Sequence, residues 1–252
     1  LETRKVHFST MSSRMPRGRF VAILGILLAI AIVVSSIGAP YPHDWMIENA
    51  LVLVAGILLI STYRSLPLSR FSYGLIFIFL CLHETGAHWT YAEVPYNDWW
   101  QSFFGVTLNE VLGLERNHFD RLVHFSYGLL IAYPIREVFM RVADVRGFWG
   151  YFLHLELVMS TSMIFELFEW AAAEVFGGEL GIAYLGTQRD VWDAHKDMAL
   201  ATLGAIIAMT IIALINARYK RDFTREFRDS LVVKHPEPLG EEALDRMRQA
   251  NQ

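Results

Sequence analysis

Several stretches of this chain place carboxylates and imidazoles at helical spacing inside otherwise apolar sequence. At 100° per residue, positions four apart lie about 40° apart on one helix face. That rule pairs Glu84 with His88, Asp120 with His124 and Asp193 with Asp197, and it sets Glu166 beside Glu169. Asp190 falls in line with Asp193 and Asp197, whereas His83 and His195 point to other faces. Such groups converging from several helices resemble the ligand sets of metal sites built inside helix bundles. Hard oxygen donors with some imidazole suit Mg, Mn, Fe or Zn without choosing among them. The candidate ligands for a divalent ion are Glu84, His88, Asp120, His124, Asp193 and Asp197; the candidate acid–base groups are Asp120, His124, Glu166 and Glu169. A bound divalent ion would lower the pKa of a water and polarise a phosphoryl oxygen. Arg121, Arg189 and Lys196 are placed to hold a substrate phosphate. The competing reading is an ion-paired network in which these three cations neutralise the acids and hold the helix ends together.

Sharper motifs fail on spacing. His83-Glu84 and His88 approach the H-E-x-x-H zinc signature with one residue too many, which turns the two histidines about 140° apart on a helix. No G-x-S-x-G, P-loop or G-x-G-x-x-G occurs, so serine acyl transfer and nucleotide chemistry have no support. The clustered histidine boxes of membrane desaturases are missing as well. Ser160 and Ser162 read more simply as small residues for close helix packing than as a dyad.

The elements that must position these groups are membrane helices. The 252 residues are 54% hydrophobic and 19% charged, with seven Trp and seventeen Phe, more apolar surface than a soluble core of this size buries. The single cysteine, Cys81, excludes a disulfide scaffold, and a net charge of −4 without a basic motif argues against nucleic acid as a partner. Six segments approach the roughly 20 apolar residues that cross a bilayer: Phe20–Gly38, Met46–Thr62, Phe71–Tyr91, His118–Phe139, Phe148–Phe176 and His195–Ala217. Pro134 is expected to kink the fourth. The first apolar run exceeds a signal-peptide core and is read as a retained helix, with Met11 and Met15 as candidate starts.

Lys and Arg set the orientation. They concentrate before the first span (Arg14, Arg17, Arg19), after the second (Arg64, Arg70), after the fourth (Arg136, Arg141, Arg146) and after the last (Arg218, Lys220, Arg221). The alternate connections are acidic. The expectation is an all-α, six-span bundle with both termini cytoplasmic: residues 1–19 and 218–252 as cytoplasmic segments, 20–217 as the membrane domain. The acids and histidines then lie at its outer end, where Trp99, Trp100, Phe103 and Phe104 form an aromatic anchor or a lid behind a helix N-cap at Asn97. On the inner half of the fifth span, His154 and Glu156 are expected to pair with Arg136 or Glu137.

Three strings, His83-Glu84-Thr85-Gly86-Ala87-His88-Trp89, Glu115-Arg116-Asn117-His118-Phe119-Asp120-Arg121-Leu122-Val123-His124 and Gly186-Thr187-Gln188-Arg189-Asp190-Val191-Trp192-Asp193-Ala194-His195-Lys196-Asp197, resemble the YjdF-like inner-membrane proteins of bacteria. That resemblance spans the first to the sixth helix and implies a bacterial inner-membrane location. A weaker likeness to the VanZ-like membrane proteins, associated with teicoplanin resistance, matches Asp120 and His124, then Glu166, Arg189, Asp193, Asp197 and Gly204; the family's Asn is Ala201 here. It implies work on the cell envelope. The reading is a metal-assisted activity on a lipid or lipid-linked envelope precursor, with membrane lipids as surroundings; a transporter, carrier or scaffold is the alternative.

Overall fold

A computed structural model describes residues 15–176, 188, 190–219, 223–234 and 240–250, and all the regular structure among them is helical. The long helices are α1 (Arg17–Ser36), α2 (Pro42–Thr62), α3 (Arg70–His88), α6 (Phe119–Val142), α7 (Trp149–Phe176) and α8 (Asp193–Tyr219). Between α3 and α6 lie the short α4 (Tyr96–Phe104) and α5 (Leu108–Leu112); α9 (Phe223–Asp229) and α10 (Glu241–Ala250) follow α8. Four of them, α1, α2, α7 and α8, are long and apolar enough to cross a membrane by length and composition. The other two expected spans form as helices of 19 and 24 residues, but charged and imidazole groups dilute their apolar sequence. Helix α6 is a single helix from Phe119 to Val142 with Pro134 inside it.

Local chemistry fixes the ends. Ser69 caps α3, its hydroxyl accepting from the Ser72 N–H at 3.1 Å. Thr107 and Glu110 form a reciprocal capping box on α5. Asn97 is not the cap of α4. Pro95 holds that position, and Asn97 sits one residue inside the helix, where its Oδ1 accepts from the Asn109 N–H at 3.0 Å. Proline suits the place because a helix start has no intrahelical use for an N–H there.

Helix α6 is the centre of the bundle, packed on α8, α3 and α7, while α1 and α2 lean on α3. The α6–α8 contact is made of small residues: Ala132, Ala201, Ala205 and Ala208 are buried there with Val158 and Met209. A Cβ built on Gly128 would overlap the Ala201 carbonyl oxygen, and one on Gly204 the Phe125 carbonyl oxygen. Backbones approach this closely only where a side chain is missing. A second apolar cluster of Val52, Phe79, Leu80, Tyr91, Val94, Phe119 and Val123 joins α2, α3 and α6. At the opposite end of the bundle α9 clasps the α6–α7 turn, where the Phe148 N–H donates to Ser230 Oγ at 2.9 Å and Trp149 Nε1 to the Ser230 carbonyl at 3.0 Å.

The inner-half pairing does not form as expected. Glu137 accepts from the Ser69 N–H (2.8 Å), the Ser72 hydroxyl (2.6 Å) and Arg141 (3.0 Å). The Arg136 guanidinium lies over the Tyr151 ring at 5.2 Å, His154 packs on Phe139, and Glu156 is exposed. Gly204→Leu or Gly128→Leu should force α6 and α8 apart and cost about 3 kcal/mol or more. Gly56→Leu, where a Cβ meets nothing within 4 Å, should be tolerated. Thermal unfolding of the detergent-purified variants separates the two outcomes.

Candidate metal centre

The first two turns of α6 carry Asp120 and His124, whose facing atoms Oδ1 and Nε2 lie 3.4 Å apart. The same Nε2 is 3.5 Å from Glu166 Oε1 on α7. From α8, Asp197 completes a group in which one donor atom each from Asp120, His124 and Asp197 lies within 4.8 Å of the others. His124 and Asp197 are buried, at 7% and 2% exposure, and Asp120 is half-buried. Asp197 Oδ1 and Glu166 Oε1 are buried and accept no hydrogen bond. Glu169 interacts directly with Glu166 and feels the charge of Asp120.

A sixth group comes from a helix that sequence reasoning left out. Glu48, 5% exposed on α2, lies within electrostatic reach of Asp120, His124 and Asp44, and its Oε2 has no hydrogen-bond partner. The signal was present in the spacing: Asp44 and Glu48 stand four apart at the start of the second span, at the level of the other acids. Five carboxylates therefore surround one imidazole. Among the described residues, the ion-pair partner of Asp120 and of Glu166 is that imidazole. Carboxylates this close repel unless a proton or a cation joins them, and oxygen-rich sets with one imidazole fit a divalent metal.

Asp193, one turn before Asp197, belongs to a different cluster. Its Oδ1 takes Arg116 at 2.7 Å and Arg121 at 3.2 Å. Asp190 takes Arg121 and Lys196, each at 2.6 Å, together with the Trp192 N–H. The Lys196 ammonium, the Trp192 amide and Arg121 hold the Asp190 carboxyl well below the usual carboxylate range. A depressed value means this pairing is fully present above pH 4 and is lost only as acid protonates Asp190 below its ordinary value of about 3.9. Arg116 was not among the expected cations; Arg189 lies outside the described residues.

Glu84 and His88 share a face as expected, and that face looks toward α1 and α2. Glu84 accepts from the Ser35 hydroxyl, and His88 Nδ1 donates to the Ser35 carbonyl at 2.6 Å. Trp45 Nε1 donates to Ser35 Oγ at 3.0 Å, closing a polar knot among the three helices. His83, as its face suggested, reaches neighbouring segments: Nε2 donates to the Glu48 carbonyl at 3.2 Å, and Nδ1 meets the Tyr91 hydroxyl at 2.5 Å. His195 is exposed and packs on Trp192 at 5.3 Å.

A helical bundle with apolar spanning helices and buried acids at one end is an integral membrane protein with a built polar site. The chain belongs to the family described as "Predicted membrane protein (DUF2238)", whose model matches residues 20–218, from α1 to the end of α8. It is 35% identical over 199 residues to the inner membrane protein YjdF of Escherichia coli (strain K12), covering 79% of this chain and 91% of that protein. No solved structure matches significantly.

The two acid clusters should respond oppositely to neutral substitution. Asp193→Asn strips a counter-charge from two half-buried arginines and should lower stability by about 1–3 kcal/mol. Asp197→Asn removes one charge from a group that repels itself, so the metal-free protein should be no less stable. Melting temperatures in chelator-treated detergent check both; equal destabilisation by the two would mean a single structural network.

Proposed function

We propose that the chain is a six-span protein of the bacterial inner membrane, with both termini cytoplasmic, that performs metal-assisted chemistry on a phosphorylated lipid or lipid-linked envelope precursor. The observation that carries this reading is the close grouping of Asp120, His124 and Asp197, with Glu166, Glu169 and Glu48 around it. Six spans are favoured by length: at 1.5 Å per residue α3 and α6 reach about 28 Å and about 36 Å, close to a bilayer core. Both pack along helices apolar enough to span. Lys and Arg in the connections at the opposite end from the acids favour cytoplasmic termini.

Asp120, His124 and Asp197 would hold the ion, and the oxygens of Asp197 and Glu166 that accept no hydrogen bond suit that task. A bound divalent ion supplies an acidified water and a Lewis acid for a phosphoryl oxygen. Glu166 and Glu169, paired at the edge of the group, are placed to take and return a proton. A cavity of about 360 Å³ between α7 and α8 gives access to these acids; Trp170, Asp193 and His195 line its outer part. Lys196, half exposed at the rim, is freer than Arg121 to turn toward a phosphate. The rim cluster itself fits the structural role: Arg116 and Arg121 tie the start of α6 to the start of α8, and Lys196 closes on Asp190 at the start of α8.

Elemental analysis of the detergent-purified chain, beside an Asp120→Asn/His124→Ala double variant, tests the reading. The expected result is a stoichiometric divalent ion in the wild-type protein that is lost in the variant. No ion in either protein would leave an ion-paired scaffold.

A further inference from the structure

A second cavity, of about 290 Å³, lies on the other side of His124. Its walls come from α2, α3, α6 and α7 and are apolar: Phe79, Val123 and Phe165 form the interior. Leu51 on α2 and Ile164 and Phe168 on α7 rim it, and these three are exposed, at 44%, 44% and 69%. Both rim helices are apolar enough to cross a membrane by length and composition, and a membrane-spanning placement sets this mouth in lipid hydrocarbon. The polar groups in the wall mostly bond to protein: Tyr127 with Thr161 at 2.5 Å, and His83 with Tyr91 and the Glu48 carbonyl. Ser162 is the exception, 2% exposed with an unpartnered Oγ. His124 is the partition, its ring packed on Phe165 at 5.7 Å while Nε2 faces Asp120 and Glu166.

We propose that this cavity binds one acyl chain of an ester-linked phospholipid drawn from the surrounding bilayer. The tail site stands on the cavity itself and is independent of the metal-assisted reading, which concerns the separate cavity beside the acids. The mouth admits hydrocarbon, the interior offers it apolar walls, and the volume is at the small end for a ligand pocket, which suits one chain. Ser162, whose Oγ has no protein partner, would turn its hydroxyl to the ester carbonyl, an acceptor that a polyprenyl chain lacks.

The test is photolabelling of the full chain in phosphatidylglycerol nanodiscs doped with phosphatidylglycerol bearing a diazirine on one acyl chain, with labelled positions mapped by mass spectrometry. Label is expected on Phe79, Val123 or Phe165, and it should be lost in Leu51→Trp, which narrows the mouth at an already exposed position. Label on Ile57 and Leu58, on the outward face of α2, should be unchanged in that variant and reports that the protein is intact. Label confined to outward residues in the wild-type protein would overturn the proposal. So would displacement of the wall label by a polyprenyl phosphate but not by unlabelled phosphatidylglycerol. Ion content measured on the same samples separates the two readings: a bound ion without wall label sinks the tail site alone, and wall label without an ion sinks the metal reading alone.

Discussion

The close approach of α6 and α8 is the constraint on which the rest of the molecule depends. Hydrophobic burial does not drive two helices together inside lipid, because lipid tails are as apolar as their side chains. Association there needs van der Waals contact between surfaces that fit, and Gly128 against Ala201 with Gly204 against Phe125 provides it. The contact also sets the register. Asp120 stands eight residues before Gly128 and Asp197 seven before Gly204, so both carboxylates lie about 10–12 Å along their helices from the crossing. The small residues thus align two acids that are 77 positions apart in the chain.

What they align is costly without a purpose. Acids inside a membrane protein are usually paired, and the rim of this one follows the rule, with two aspartates among two arginines and a lysine. Behind the rim, Glu48, Asp120, Glu166, Glu169 and Asp197 gather on a single imidazole. Purely structural pairing would be better served by the rim's composition throughout. The imbalance is what a cation-binding group needs, and it is why the rim and the interior call for different explanations.

Much of this was legible in the sequence, and its limits were geometric. The i, i+4 rule identified Asp120 with His124 and Glu84 with His88 equally well, because each pair does share a helix face. It could not say which neighbour a face meets: α6 turns its pair toward α7 and α8, while α3 turns its pair toward Ser35 and Trp45. Glu48 escaped notice because it lies at the head of an apolar run, although His43 and Asp44 stand five and four residues before it. The same limit explains Asp193 and Asp197, which the spacing rule treated as one unit. Their separation depends on Arg116 arriving from the α5–α6 connection and Arg121 from the first turn of α6, and a single helix's periodicity holds no trace of that.

One helical turn, about 6 Å of rise, separates those two aspartates, and it divides the site into two electrical zones. In the outer zone three cations face two aspartates, partly open to water, where the charges are screened. The inner zone holds more carboxyl groups than cationic side chains in a buried setting, where the lower dielectric strengthens every interaction. A cation approaching from outside therefore meets little attraction at the rim and a strong one a turn deeper. An anionic head group meets the reverse, cations at the rim and repulsion beyond, unless an ion already occupies the interior. On the proposed reading, the order of the two zones would make binding of a phosphate depend on prior binding of a metal, because Asp193 sits with the arginines and Asp197 without them.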